Sequence, residues 1–226
     1  MTREGEELTA DRLHELLQEL SDSLQARGLT AQIFIVGGAA MALGYDQQRM
    51  TRDVDALFEP ALEMRRIAAE IGERHGLEPD WLNDGAKGFM PRPDGNERVV
   101  FESESLYVQV PSPEFLLAMK LHASRDERDL NDAATLFNKA GYTYAQQAIE
   151  LLERSYPPQV LLPKHRYVAK DVAGRAEALR HLSREKPIPP RTLSERIDER
   201  VNDLRQKSTK KREDGQIRGS EADRRR

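Results

Sequence analysis

The chain has 226 residues, a formal net charge of −4, 38% hydrophobic and 33% charged residues, and no cysteine. That length suffices for one α/β core of ordinary size with appendages. The missing cysteines exclude a disulfide, a thiolate metal centre and a cysteine nucleophile. No apolar run approaches the ~18 residues of a membrane span, and no apolar stretch follows the opening residues, so a soluble, cytoplasmic protein without a membrane partner is expected.

Charge is divided unevenly. Residues 184–226 hold 14 Lys or Arg against 9 Asp or Glu, a net +5, which leaves −9 for residues 1–183. An acidic core suits a bound metal ion but opposes broad nucleic-acid binding, which needs positive charge.

In chain order, Leu13, Leu16, Leu17, Leu20 and Leu24 fall at helical spacing between Thr9, an N-cap, and Gly28, a C′ residue. A buried strand is expected over Ile33 to Val36, a helix start over Ala39 to Leu43, and a second strand over Arg52 to Phe58. Pro60 opens a helix that carries Leu62, Ile67 and Ile71 and ends near Gly76. Arg98 to Glu102 and Leu106 to Val110 read as short strands around a turn at Ser103.

Ser112-Pro113 is a helix start with proline at N1, and Leu116, Leu117, Met119 and Leu121 make that helix apolar on most sides. Asp126 caps the next helix, with Leu130, Ala133, Ala134, Leu136 and Phe137, which stops at Gly141. Tyr144 to Arg154 is amphipathic, and Val172 to Leu182 is a last helix. Pro187 to Pro190 interrupts the chain, and 208–226 is so charged that disorder is expected. No internal repeat is visible.

Two features carry chemistry. The apolar run Ile33–Val36 enters Gly37-Gly38, where a helix begins, so backbone N–H groups there can approach a phosphate closely. Downstream, Asp53 and Asp55 stand at i and i+2 of a β-like stretch, so both are expected on one side, facing the glycine turn. Paired carboxylates are hard oxygen ligands that suit Mg²⁺. Phosphate cradle and metal-binding pair together point to nucleotidyl transfer.

Lys120 sits in an otherwise apolar helix, where an unpaired ammonium would be costly. It needs either a phosphate or a structural partner among Asp129 and Asp132, which share a helix face at i and i+3. Arg49 and Thr51 flank the aspartates. Trp81, Asn83 and Lys87 are candidates to line the pocket, Trp81 either stacking on a base or filling the core. The five histidines show no metal-ligand spacing, and His122 reads as helix surface.

Gly37-Gly38-Ala-Ala-Met41 followed by Arg49-x-Thr51-x-Asp53-x-Asp55 resembles the first motif of the DNA polymerase β-type nucleotidyltransferases, and within them the minimal bacterial branch that includes AbiEii-type toxins. Lys120-Leu-His-Ala123 is similar to that branch's Lys-x-x-Ala. Arg125-Asp-Glu-Arg128-Asp129-Leu-Asn-Asp132 is similar to its Arg-x-x-Lys-Asp-x-x-Asp, with Arg for Lys. Asp80–Phe89 resembles a further segment of the branch. Members often carry Ser at the position of Gly38, and the superfamily's third carboxylate has no clear counterpart here. It is expected on a strand beside the Asp-x-Asp strand, where Leu106–Val110 offers Gln109; Glu102 and Glu104 are the nearest acids.

The resemblance implies an α/β (α+β) fold with a small mixed sheet flanked by helices, and a helical C-terminal half. The organisation expected is an N-terminal amphipathic helix over 1–29, the nucleotidyltransferase core over 30–142, a helical segment over 143–183 and a basic, largely disordered tail over 184–226. The implied catalytic residues are Asp53, Asp55, Lys120 and Asp129, with Gly37, Gly38, Arg49, Thr51, Asn83, Lys87 and Lys120 around the nucleotide and Asp53 and Asp55 on Mg²⁺. The implied activity is Mg²⁺-dependent transfer of a nucleoside monophosphate from an NTP to a hydroxyl of RNA, such as the tRNA 3′ end, with an antitoxin as partner. Transfer to a small molecule or protein side chain, and a non-catalytic nucleotide-binding or antitoxin-like module, are the alternatives. The tail either holds RNA or solubilises the chain.

Overall fold

The computed structural model describes residues 7–124 and 126–184, with side chains to 183. Residues up to His181 belong to one compact unit; of the unit that begins at Leu182, only the end of the last helix is described. The expected tail therefore lies outside the described residues, as does Arg125.

Helix α1 (Ala10–Gln25) leads into β1 (Ala31–Ile35), α2 (Gly37–Gly44), β2 (Val54–Glu59) and α3 (Ala61–His75). A two-residue β3 (Leu82–Asn83) and a 3₁₀ turn (Gly85–Phe89) follow, then β4 (Arg98–Glu102) and β5 (Leu106–Val110). Helices α4 (Pro113–Ala123), α5 (Glu127–Lys139), α6 (Ala145–Ser155) and α7 (Pro163–Arg184) complete the described chain, with a short 3₁₀ turn before α7. This is a mixed α/β architecture: a five-stranded mixed sheet flanked by seven helices among the described residues.

Local chemistry sets the helix limits where the sequence places them. The Thr9 side chain accepts from the Arg12 N–H at 3.2 Å, and the Asp126 and Ser112 side chains cap α5 and α4 in the same way. At the other end of α1, Gly28 adopts φ 65° and Leu29 N–H reaches back to Leu24 C=O at 3.0 Å, a closure repeated at Gly76 and Gly141. α7 begins at Pro163, nine residues ahead of the expected Val172. Neither α7 nor any other described helix is long and apolar enough to cross a membrane.

The strand order is β3-β2-β1-β5-β4. β1 runs antiparallel to β2 and parallel to β5, β2 runs parallel to β3, and β4 closes the other edge antiparallel to β5. One face presents Ile33, Ile35, Val54, Ala56, Leu106 and Val108, all buried in the core with the leucines of α1 and with Met64, Ile67 and Ile71 of α3. The opposite face carries Phe34, Asp55 and Leu57, and α4 lies on it through an edge-to-face contact of Phe115 with Phe34 at 5.7 Å. α5 and α6 pack in turn on α4. The sheet's second face is thus the floor beneath α4, and Asp55 belongs to that floor.

Two expectations fail here for physical reasons. β2 starts at Val54, so Asp53 precedes the strand and is not held by the ladder; Thr51 pairs with Leu8 instead. Gln109 pairs with Phe34 of β1, so β5 is separated from β2 by a whole strand, about 10 Å at the usual strand spacing. The strand that does adjoin β2 on its free side is β3, where Asn83 stands opposite Asp55. No acid takes the third position there.

Trp81 is core. It is 2% exposed, its indole N–H donates to the Ala68 carbonyl at 2.8 Å, and a Cβ on Gly72 would meet its ring at 2.9 Å. An exposed helical Gly→Ala change normally stabilises by about 1 kcal/mol. Here Gly72→Ala overfills the α3–Trp81 contact and is expected to destabilise by about 1–3 kcal/mol. Urea unfolding checks this, and Trp81, the one tryptophan, reports the local shift in its emission.

Candidate active site

The turn between β1 and α2 is built for close approach. Ile35 pairs with Ala56, and Val36 N–H donates to the Asp55 carbonyl at 2.8 Å, which sets Gly37 beside Asp55. Gly37 adopts φ +65°, and Asp55 Oδ2 lies 3.0 Å from where a Cβ would stand. Only glycine meets both demands. α2 then begins without a side-chain cap, so its first N–H groups are left to a ligand or solvent.

Gly38 has a different reason to be glycine. Thr51 Oγ1 lies 2.6 Å from where its Cβ would be. The buried Thr51 hydroxyl thus fills the space into which a serine at 38 would project, and it donates to the Asp53 carbonyl at 3.1 Å. Thr51 positions Asp53 from behind rather than facing a ligand. Asp53 itself is exposed, while Asp55 is half-buried.

A cleft of about 420 Å³ opens between this turn and α4. Gly37 and Asp55 form one wall; Lys120 of α4 and Asp129 of α5 line it as well. Leu116, Met119 and Ala123 continue the α4 side, and Gly85, Ala86 and Phe89 of the 3₁₀ turn complete it. The cleft thus gathers Gly37, Asp55, Lys120 and Asp129 from four elements. It does not take in the other expected residues as lining.

Behind Lys120 stands a buried chain of charges. Its ammonium lies 2.7 Å from Asp129 Oδ1 and 2.8 Å from Asp132 Oδ2, with side chains only 6–11% exposed. Asp132 also receives the Arg49 guanidinium, Nε to Oδ1 at 3.0 Å and Nη2 to Oδ2 at 3.3 Å. Arg49 is therefore turned inward, and its Nη1 donates to the Met50 carbonyl. Asn83 accepts from Gly85 N–H at 2.8 Å and so starts the 3₁₀ turn, while Lys87 is exposed on that turn.

The cleft also holds residues that sequence reasoning did not find. His122 lines it, stacked on Tyr156 at 4.3 Å and 4.9 Å from the His165 ring, and its Nε2 is buried with no hydrogen-bond partner. Phe89 is 64% exposed, and its carbonyl accepts from the Tyr156 hydroxyl at 2.9 Å. Phe89 closes the Asp80–Phe89 segment, but nothing in the sequence singles it out within that segment, and His122 shares its mostly apolar helix with Lys120 without a motif of its own.

The donor set suits Mg²⁺. Asp53 and Asp55 supply hard carboxylate oxygens near an uncapped helix start, and Mg²⁺ commonly takes one or two carboxylates, completing its shell with water and phosphate oxygens. Among the described residues no group of three or more Asp, Glu, His or Cys is placed to hold a metal. Of the two carboxylates, Asp55 lines the cleft together with Asp129, and Asp53 lies outside its lining.

The charge network makes a stability prediction. Lys120→Met leaves Asp129 and Asp132 buried without their shared cation, a loss of about 3–5 kcal/mol for a broken buried pair. The cost should fall at the lower end, since Asp132 keeps Arg49. Adding Asp129→Asn is expected to recover part of it in urea unfolding. A second prediction concerns His165, which is 3% exposed and accepts from Leu162 N–H at 3.1 Å through Nδ1. Burial, with the His122 and Lys164 charges adding, holds its pKa below the ordinary imidazole value against a hydrogen bond to the His122 backbone. The unfolded chain therefore takes up a proton at about pH 6.5 that folded His165 refuses. Stability is full above that pH and is lost as pH falls toward the folded pKa. His165→Asn, which can still accept from Leu162, should show a smaller fall in Tm between about pH 7.5 and about pH 5.5.

Three comparisons bear on this arrangement. No curated protein matches the chain. A crystal structure of an antigenic nucleotidyltransferase-like protein from Paracoccidioides brasiliensis aligns over 65% of this chain and 88% of its own, at 16% identity and a loose TM-score of 0.38. The sequence profile of a family described as "Nucleotidyltransferase of unknown function (DUF6036)" matches residues 11–153, from α1 to near the end of α6, and so spans every element of the cleft. The chain belongs to this nucleotidyltransferase family.

Proposed function

We propose that this protein is a Mg²⁺-dependent nucleotidyltransferase that moves a nucleoside monophosphate from an NTP to a hydroxyl acceptor. The observation that carries this reading is one cleft lined by Gly37, at the uncapped start of α2, by Asp55, whose Oδ2 stands 3.0 Å from where a Gly37 Cβ would be, and by Lys120. In the reaction the acceptor oxygen forms a bond to the α-phosphorus as the bond to the pyrophosphate oxygen breaks. The hydroxyl proton leaves to a carboxylate or to water.

The chain's residues divide this work. The N–H groups of Gly37 and Gly38 bind phosphate oxygens, aided by the positive end of α2. Lys120 has three donors, of which Asp129 and Asp132 take two, and the third is directed to the triphosphate. Asp53 and Asp55 would hold Mg²⁺, which when bound screens the charge that develops on the leaving pyrophosphate. Asp129 fixes the Lys120 ammonium; Asp132 and Arg49 fix it from behind. Thr51 orients Asp53. Asn83 and Lys87 act on the nucleotide only through the 3₁₀ turn that they help form.

RNA, such as the tRNA 3′ end, is the acceptor we favour. Between Glu153 and Asp171 the chain has no acid, and Arg154, Lys164, Arg166 and Lys170 are all exposed. Arg166 and Lys170 border a groove of about 760 Å³ beside the exposed Tyr167. This basic strip offers phosphate contacts that the acidic remainder lacks, and residues 184–226 carry a net +5 of their own. The resemblance to the AbiEii-type branch supports a cytoplasmic toxin with an antitoxin partner. A second reading, a non-catalytic nucleotide-binding or antitoxin-like module, is favoured by one observation: Asn83, not an acid, stands opposite Asp55 on the adjoining strand.

Incubation of the protein with α-³²P-labelled NTPs, Mg²⁺ and total RNA or lysate separates these readings. The expected outcome is label on RNA, abolished by chelation, with Asp55→Asn lowering transfer by orders of magnitude while Tm is kept. Label on a protein or small molecule changes the acceptor. Full transfer by both Asp53→Asn and Asp55→Asn overturns the mechanism, and NTP binding without transfer establishes the non-catalytic reading.

A further inference from the structure

The far end of the cleft has no part in the phosphate chemistry, yet it is built as a site. The 3₁₀ turn starts at Gly85, tied to Asn83 beside Asp55, and ends at Phe89, tied to Tyr156. At 2.0 Å rise per residue the turn from Gly85 to Phe89 spans about 8 Å of the cleft wall. His122 stacks on the same Tyr156, so Phe89 and His122 are brought to one end of the cleft by a shared neighbour. Ala86, Met119 and Ala123 make the rest of that end apolar.

Two observations there lack an explanation within the protein. Phe89 is a large aromatic side chain left 64% exposed, although its backbone is anchored to a residue of the core. His122 Nε2 is buried without a partner, on a ring whose tilt is set by Tyr156 and His165. Buried polar atoms are nearly always satisfied, and an unmet one forfeits the value of a hydrogen bond. A flat ligand with an apolar face and polar edge answers both. Trp81, the other aromatic candidate, is sealed in the core.

We propose that this end of the cleft is a nucleobase subsite, in which the base stacks on Phe89 and meets His122 Nε2 along its polar edge. The inference rests on the reading that an NTP occupies the cleft, and it adds which part of the NTP lies where. Stacking accepts any base, because every base has a π-face. A single imidazole nitrogen gives only one polar contact, so the site binds all four NTPs and prefers among them mildly.

Calorimetry on the full chain with Mg²⁺ tests this, using the four NTPs and, as a probe with no base, inorganic tripolyphosphate. Wild type should bind NTPs more tightly than tripolyphosphate. Phe89→Ala should weaken every NTP roughly 5- to 100-fold and leave tripolyphosphate unchanged. Phe89→Tyr should restore NTP affinity. His122→Phe keeps a ring against Tyr156 and removes the unmet nitrogen, so Tm should hold or rise while preference among the four NTPs flattens.

Unchanged NTP affinity in Phe89→Ala overturns the subsite, as does an equal loss for tripolyphosphate. In both cases tripolyphosphate binding by wild type leaves the transferase reading standing. If wild type binds neither tripolyphosphate nor any NTP, both readings fall.

Discussion

The buried charge chain Arg49–Asp132–Lys120–Asp129 is the constraint on which the site depends. It joins the end of α4 and the first turns of α5, neighbours in sequence, to the loop before β2, with Arg49 and Asp132 separated by 83 positions. Among the described residues two cations, Arg49 and Lys120, alternate with two carboxylates, Asp132 and Asp129, so each of these buried charges faces an opposite one. Burial of this kind costs desolvation, and a hydrophobic replacement would hold the helices at least as well. What the charges add is direction. They hold an ammonium at the cleft wall, and they tie the loop that carries Thr51 and Asp53 to the helical half.

Around this chain the remaining parts are placed by steric fit as much as by attraction. Asp55 Oδ2 and Thr51 Oγ1 each press on the space where a glycine lacks its Cβ, at Gly37 and Gly38. At Gly37 the positive φ also disfavours any side chain, and at Gly38 a methyl group would displace the Thr51 side chain. The glycine pair opens α2 without a side-chain cap, and it lets two polar side chains stand close behind the turn. Family membership and this geometry agree on nucleotidyl transfer as the general chemistry.

The helical half supplies more than cover. Tyr156, at the end of α6, stacks on His122 and bonds the Phe89 carbonyl, so one side chain sets both the α4 flank and the 3₁₀ wall. His165 of α7 backs the same cluster. The Phe89–His122 part of the cleft is thereby linked to packing among α4, α6 and α7, whereas the Gly37–Asp55 part is linked to the sheet.

Much of this was legible in the residues alone. Leucines at helical spacing, Thr9, Ser112 and Asp126 as caps and Gly28, Gly76 and Gly141 as stops are local signals, because capping and closure involve only neighbours in sequence. Gly37-Gly38 before Asp53-x-Asp55 is likewise a short-range pattern, and it led to the family. Long-range pairing was not legible. The Leu8–Thr51 bridge leaves Asp53 ahead of the strand, β1 separates Gln109 from Asp55, and β3 sets Asn83 opposite Asp55. Nor could sequence choose between core and cleft for an aromatic residue: Trp81 is enclosed by α3, while Phe89 is left open by a turn anchored through Tyr156. Residue type and spacing determined the elements and the chemistry; which side chains share the cleft was decided by contacts between segments distant in the chain.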